Sequence, residues 1–324
     1  VRGGSRLAER IESGFEKSPG LPMKLQYRPF ESNEDLRRMK ALVSVIWKLE
    51  GPLSPMTVAD LDWWMFQHEG VDPRTRIRLW SDGDSLRAFG WFSPPGSVDV
   101  VIHPEHREMS LFEEMIAWAE GKCRDRSAGS DRRGTSPSLE VWVLETDVSL
   151  PFLLGQLGFE PRPEHYVHLH RELQDPVEEP RLPDGYTLRS LRGFEEIAER
   201  VVVHRNAFAP SRVTVKSYRR VMESAGYRTD LDLVVEAPDG SFAAFAICWL
   251  DPENEVGEFE PLGTHSAHRR RGLARAILLE GMRRLRDRGA GRVMIYASSS
   301  GDAARRLYED AGFHTVTRCR RFAR

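Results

Sequence analysis

Cysteine is scarce in this chain. Its 324 residues hold three, Cys123, Cys248 and Cys319, far apart and odd in number. They form no C-x-x-C pair, so neither a zinc ribbon nor a disulfide framework is supported, and a reducing cytoplasm is the expected setting. Long hydrophobic runs are missing too. None approaches the ~20 residues of a membrane span, and the first residues carry no apolar stretch of the signal-peptide kind. Neither sign of charge is in excess: 47 Lys and Arg stand against 49 Asp and Glu, a net charge of −2. That gives no bulk attraction to nucleic acid or to a membrane surface. Two common phosphate signatures, G-x-x-x-x-G-K-[ST] and G-x-G-x-x-G, are also absent. What is present is an ordinary globular composition, 40% apolar and 30% charged, in a length that favours two domains.

Residues 1–22 hold few large apolar side chains and read as a disordered tail, with Met23 a candidate start and "KLQYRPF" a first strand. "RSAGSDRRGTSPS" (126–138) reads as a polar loop. Pro176, Pro180 and Pro183 among acidic residues mark a linker over 174–185. The segments on either side of it match. His103, His106 and Arg107 lie over His265, His268 and Arg269, and Gly158-Phe159 lies over Gly312-Phe313. Two copies of one mixed α/β domain are therefore expected, 23–173 and 186–324.

In the second copy, 241–250 and 257–265 read as strands. From Gly272 the apolar residues Leu273, Ala274, Ile277, Leu278, Met282 and Leu285 recur at helical spacing, and Gly289 ends the run. "RVMIYA" (292–297) reads as a buried strand. A further helix is expected to start at Ser298–Ser300, capped by them, and to stop at Gly312. Between strand and helix lies "HRRRGLARA" (268–276). Free N–H groups at a helix N-terminus attract anions. Gly272 and Ala274 let a ligand approach the backbone, and Arg269, Arg270 and Arg271 add forked donors. The competing reading is a solvated, charged helix start, although basic residues there oppose the helix dipole.

Arg269-x-x-Gly272-x-Ala274 after a strand, followed by another strand and "LYEDAGF" (307–313), resembles the GCN5-related N-acetyltransferase (GNAT) superfamily in its tandem-domain type. The resemblance covers most of 186–324. It implies an α/β fold with a mixed sheet split by a wedge that holds acetyl-CoA. It also implies that the backbone of Leu262, Gly263 and Thr264 pairs with the pantetheine arm, while Arg269, Arg270, Arg271, Gly272, Leu273 and Ala274 hold the pyrophosphate. Tyr308 stands where the family keeps its general acid. Glu258 and Glu260 lie two apart on one strand and so share a face. Either could deprotonate an amine, and Glu258 lies nearer the family's usual base position. Many members have Asn where this chain has Gly301, so a coenzyme contact is missing there, and Asp302 reads as a helix-start residue.

The first copy departs further. Glu108 stands over Arg270, Ser110 over Gly272, Phe112 over Ala274 and Leu154 over Tyr308. It is expected to keep the frame and bind acetyl-CoA poorly. The implied activity is acetyl transfer to a primary amine of a small molecule, without metal, nucleic acid or membrane, by a monomer or homodimer. Its rivals are acetylation of a protein or peptide, a non-catalytic acyl-CoA-binding role, and nucleic-acid binding through Arg269–Arg271, which a steep salt dependence would reveal. Arg205, Arg212 and Trp249 are candidate acceptor contacts. Trp63, Trp64 and Phe66 read as packing, His103 and His106 as scaffold, and His168 and His170 as exposed strand residues rather than a metal pair.

Overall fold

The computed structural model describes residues 25–51, 54, 56–128 and 138–324. The tail at 1–22 and residues 129–137 of the expected polar loop lie outside the described residues; the first three residues of that expected loop, 126–128, instead end a helix.

The first half runs β1 (Gln26–Pro29), α1 (Asn33–Glu50), α2 (Val58–Phe66), β2 (Ile77–Asp82), β3 (Ser85–Ser93), β4 (Ser97–Ile102), α3 (Met109–Ala128), β5 (Glu140–Leu144), α4 (Ser149–Gln156) and β6 (Glu160–Glu172). The second half repeats that order. It runs β7 (Thr187–Ser190), α5 (Ile197–Ala207), α6 (Val215–Met222), β8 (Asp232–Glu236), β9 (Phe242–Asp251), β10 (Val256–Thr264), α7 (Leu273–Arg286), β11 (Arg292–Ser298), α8 (Asp302–Asp310) and β12 (His314–Ala323). The matched histidines have matched jobs. His103 Nδ1 accepts from the Glu105 N–H at 3.3 Å, and His265 Nδ1 accepts from the Ala267 N–H at 3.2 Å. Each closes the tight turn ahead of its helix, a structural role that fits the scaffold reading of His103.

The twelve strands among the described residues form one sheet, in the order β1-β2-β3-β4-β5-β12-β6-β11-β10-β9-β8-β7. Each half gives its last strand to the other: β12 pairs with β5, β6 pairs with β11, and β6 and β12 pair at the centre. Boundaries at 173 and 186 mark the repeat in sequence, yet the sheet crosses them. This exchange corrects the reading of His168 and His170 as exposed. β6 is a central strand, and the two side chains are buried. The His168 ring stacks edge-on to Tyr296 at 4.0 Å, and burial pushes the two imidazoles down to about 3 and about 4, so both are neutral.

Within each half one strand pair is parallel and short. β4 pairs with β5 at Ser97 and Val98 only, and β10 with β11 from Val256 to Glu258 only. Past those residues the strands part and leave a wedge. In β10 the parting coincides with a register shift against β9 between Phe259 and Leu262, at the cis Glu260–Pro261 peptide.

α7 is amphipathic as expected. Ile277, Leu278, Met282 and Leu285 are fully buried against the sheet, each contributing roughly 1.5–3 kcal/mol. Gly281 sits at its closest approach, where a Cβ would lie 2.5 Å from the Phe259 ring. Gly289 and Gly312 both adopt positive φ just past helix ends. The serine cap is corrected: α8 begins at Asp302, and Gly301 occupies its N-cap position with no side-chain cap. α2 joins the halves. Ala59 and Trp63 pack in a cluster with Tyr218, Phe245 and Trp249, while Leu61 and Met65 belong to a cluster that reaches Val256 and Met294.

Candidate active site

The second wedge opens on the β11 side of β10. Leu262, Gly263 and Thr264 pair with Ala246, Phe245 and Ala244 of β9, but β11 no longer reaches them. Their backbone groups on that side are free to pair with an extended, amide-bearing ligand. At the wedge mouth, Arg270 (φ 61°) and Gly272 (φ 79°) both take left-handed backbone. Such alternation turns successive N–H groups into an anion-binding concavity. α7 starts at once, and Gly272 offers it no side-chain cap, so the first-turn N–H groups of Leu273 and Ala274 are available. Arg269, Arg270 and Arg271 are exposed and have no carboxylate partner among the described residues. On the helix itself, Arg275, Arg283 and Arg284 do have one.

Deeper in, Tyr308 is buried beside Phe313, and its hydroxyl makes no hydrogen bond among the described residues. Burial and the Glu260 carboxyl push the phenol above its usual range, so it stays protonated. Gly301 sits at the N-cap of α8.

The two glutamates have different surroundings. Glu258 is enclosed at 1% exposure, and its Oε2 accepts a short hydrogen bond from the Thr57 hydroxyl of the first half. Its Oε1 has no partner among the described residues, and burial with Asp60 nearby holds the acid well above the carboxylate range. Glu260 instead lines a cleft of about 220 Å³ with Trp63 and His68 from the first half and His204, Phe208 and Arg212 from the second. Burial and the Asp60 charge push its carboxyl up to about 8.

The remaining expectations separate. Arg212 borders this cleft, and Arg205, exposed on α5, does not. Trp249 is 2% exposed, and its indole N–H donates to the Glu260 carbonyl at 2.6 Å. It braces the bend in β10 rather than facing an acceptor. Trp63 packs as expected and also walls the cleft. Sequence reasoning passed over Thr57 and Asp60, although "TVAD" (57–60) carries capping-box spacing, and both reciprocal bonds are present.

The first wedge encloses about 310 Å³. Arg107 lines it, but its guanidinium is bonded to both Glu50 oxygens, at 2.6 and 2.8 Å, with Asp147 at 3.9 Å. Phe112 and Leu154, the counterparts of Ala274 and Tyr308, are fully buried in the core.

Comparison with known proteins bears on the family and the fold. The model of the acetyltransferase (GNAT) family matches residues 200–313. The mycothiol acetyltransferase of Thermobispora bispora is 26% identical over 296 residues, covering 87% of this chain and 94% of that one. That of Rhodococcus erythropolis is 31% identical over 260 residues, covering 72% and 79%. Among solved structures, a GCN5-related N-acetyltransferase from Sphaerobacter thermophilus superposes with a TM-score of 0.63 at 23% identity, over 94% of this chain and 96% of that one. A tandem GNAT protein from the clavulanic acid biosynthesis pathway superposes with a TM-score of 0.67 at 15% identity, over 93% and 98%. The chain belongs to the GNAT family of acetyltransferases, in its tandem form.

Proposed function

We propose that the half spanning 186–324 transfers an acetyl group from acetyl-CoA to the primary amine of a small molecule, and that the half spanning 23–173 has lost coenzyme binding. The observation that carries this reading is the coincidence, on one wedge, of an unpaired strand edge at 262–264, an uncapped helix N-terminus and three arginines without carboxylate partners. These suit an amide-bearing arm ending in a pyrophosphate. The names of the relatives suggest an acceptor of mycothiol type, its amine form. A cleft of about 220 Å³ walled by both halves suits such a molecule better than a peptide.

Acetyl-CoA, when bound, supplies an activated thioester. Leu262, Gly263 and Thr264 would hold its arm by backbone pairing, and residues 269–274 its pyrophosphate. Glu260 is the better base, because it faces the cleft while Glu258 is sealed behind Thr57. With a pKa near neutrality its carboxylate takes the proton of the incoming amine. The Tyr308 hydroxyl, protonated at neutral pH, gives its proton to the departing sulfur. Arg212 would orient the acceptor from the cleft rim.

Calorimetric titration with acetyl-CoA tests the reading, followed by chromatography of the product made from the free-amine form of mycothiol. One coenzyme site per chain and an N-acetylated product are expected. Two sites would overturn the assignment of the first half, and no transfer to that amine would overturn the acceptor class.

A further inference from the structure

The first half has no evident role in the chemistry just described, yet its α2 lies against β10. Asp60, Trp63 and Gln67 recur at three- and four-residue intervals, so they share one helix face. The N-terminal end of α2 meets Glu258, and its C-terminal end walls the cleft that Glu260 lines. At the N-terminal end a single hydroxyl joins the halves. Thr57 Oγ1 accepts from the Ala59 and Asp60 N–H groups at 3.1 and 3.2 Å and donates to Glu258 Oε2. Asp60 Oδ2 in turn accepts from the Thr57 N–H at 2.9 Å. The capping box that starts α2 therefore also fixes the rotamer of a carboxyl group on the catalytic strand of the other half.

We propose, resting on the reading of Glu260 as base, that Thr57 and Asp60 are positioning residues for that base: Thr57 locks the neighbouring Glu258, and Asp60 sets a second carboxylate against the same strand. The decayed half thus supplies part of the electrostatic setting of the active one. Around Glu260 stand Glu258 on its own strand, Asp60 on α2, Tyr166 on β6, Tyr296 on β11 and Tyr308 on α8, with His68, His204 and Arg212 across the cleft. Asp60 also faces Asp99 on β4, whose carboxyl is raised to about 7. Burial raises Asp60 itself to about 6, below Glu260 at about 8, so Asp60 carries charge before Glu260 does as pH rises. That charge opposes ionisation of Glu260 and keeps its working range near neutrality.

The test uses the full chain and Asp60→Asn, which is isosteric and can still accept the cap bond through its amide oxygen. Titration of the Glu260 carboxyl carbon, followed by 13C NMR and assigned through Glu260→Gln, should shift down by about one pH unit in Asp60→Asn. The rising limb of kcat/KM against pH, measured with acetyl-CoA and the free-amine form of mycothiol, should shift with it, and coenzyme affinity should stay unchanged. Thr57→Val should lower kcat severalfold, and Thr57→Ser should restore it. An unmoved titration midpoint in a chain that still binds coenzyme overturns the inference whatever the acceptor is. So does a Thr57→Ser chain as impaired as Thr57→Val. Full activity in Glu260→Gln overturns the base assignment, and this inference with it.

Discussion

The two halves share an order of elements, a twelve-stranded sheet and a wedge between parallel strands, yet they treat the same arginine in opposite ways. Arg107 is spent on Glu50, whereas Arg269 has no carboxylate partner among the described residues. Asp99 lies opposite Trp91 just as Glu258 lies opposite Trp249, so even a carboxyl group survives at matched register. The first half differs at matched positions: an internal ion pair at Arg107, and core side chains at the positions of Ala274 and Tyr308. A wedge is a property of the sheet, and an empty, cationic wedge is a property of a few side chains.

That contrast can be attacked directly. Gly272→Glu has the largest expected effect. It places a carboxylate at the proposed anion site and is expected to abolish calorimetric binding of acetyl-CoA. No neighbour lies within 4 Å of its added Cβ, so the strain of left-handed backbone, about 1–2 kcal/mol, lowers the melting temperature by only a few degrees. Ser110→Glu, the matched change in the first half, should leave binding intact.

Tyr308→Phe should lower kcat about a hundredfold with coenzyme affinity unchanged. The matched Leu154→Ala should instead cost about 2–5 kcal/mol of stability, read by denaturant titration, because it empties a core position. Glu260 gives a pH test. Its raised pKa means that its basic form is lost as pH falls through about 8. The Glu260 contribution to kcat/KM should therefore fall about tenfold per unit below that value and disappear in Glu260→Gln, while Glu258→Gln keeps the limb.

Glu50→Gln is the gentlest probe. It removes the nearer carboxylate from Arg107 and leaves Asp147 at 3.9 Å, and calorimetry should still count one coenzyme site, because Ser110 and Phe112 remain. A second site would show that one ion pair alone closed the first wedge.

Much of the second half was legible in the sequence, because its signals are local. The α7 stripe, the glycines past helix ends and the arginine loop each need only a short window. What escaped depends on partners far along the chain. The burial of His168 and His170 follows from strands contributed by the other half, and the choice between Glu258 and Glu260 turns on Thr57, 201 residues away. Trp249 stood among the candidate acceptor contacts. Its indole N–H is committed to the Glu260 carbonyl, a bond that only the bent backbone of β10 creates.

The exchange of last strands bears on how such a chain can evolve. After a gene doubles, a copy whose activity decays is ordinarily free to be deleted. Here deletion of the first half would remove β6 and leave β11 with an open edge, while β12 would lose both of its neighbours. Selection can therefore erase the chemistry of one copy without being able to discard its polypeptide.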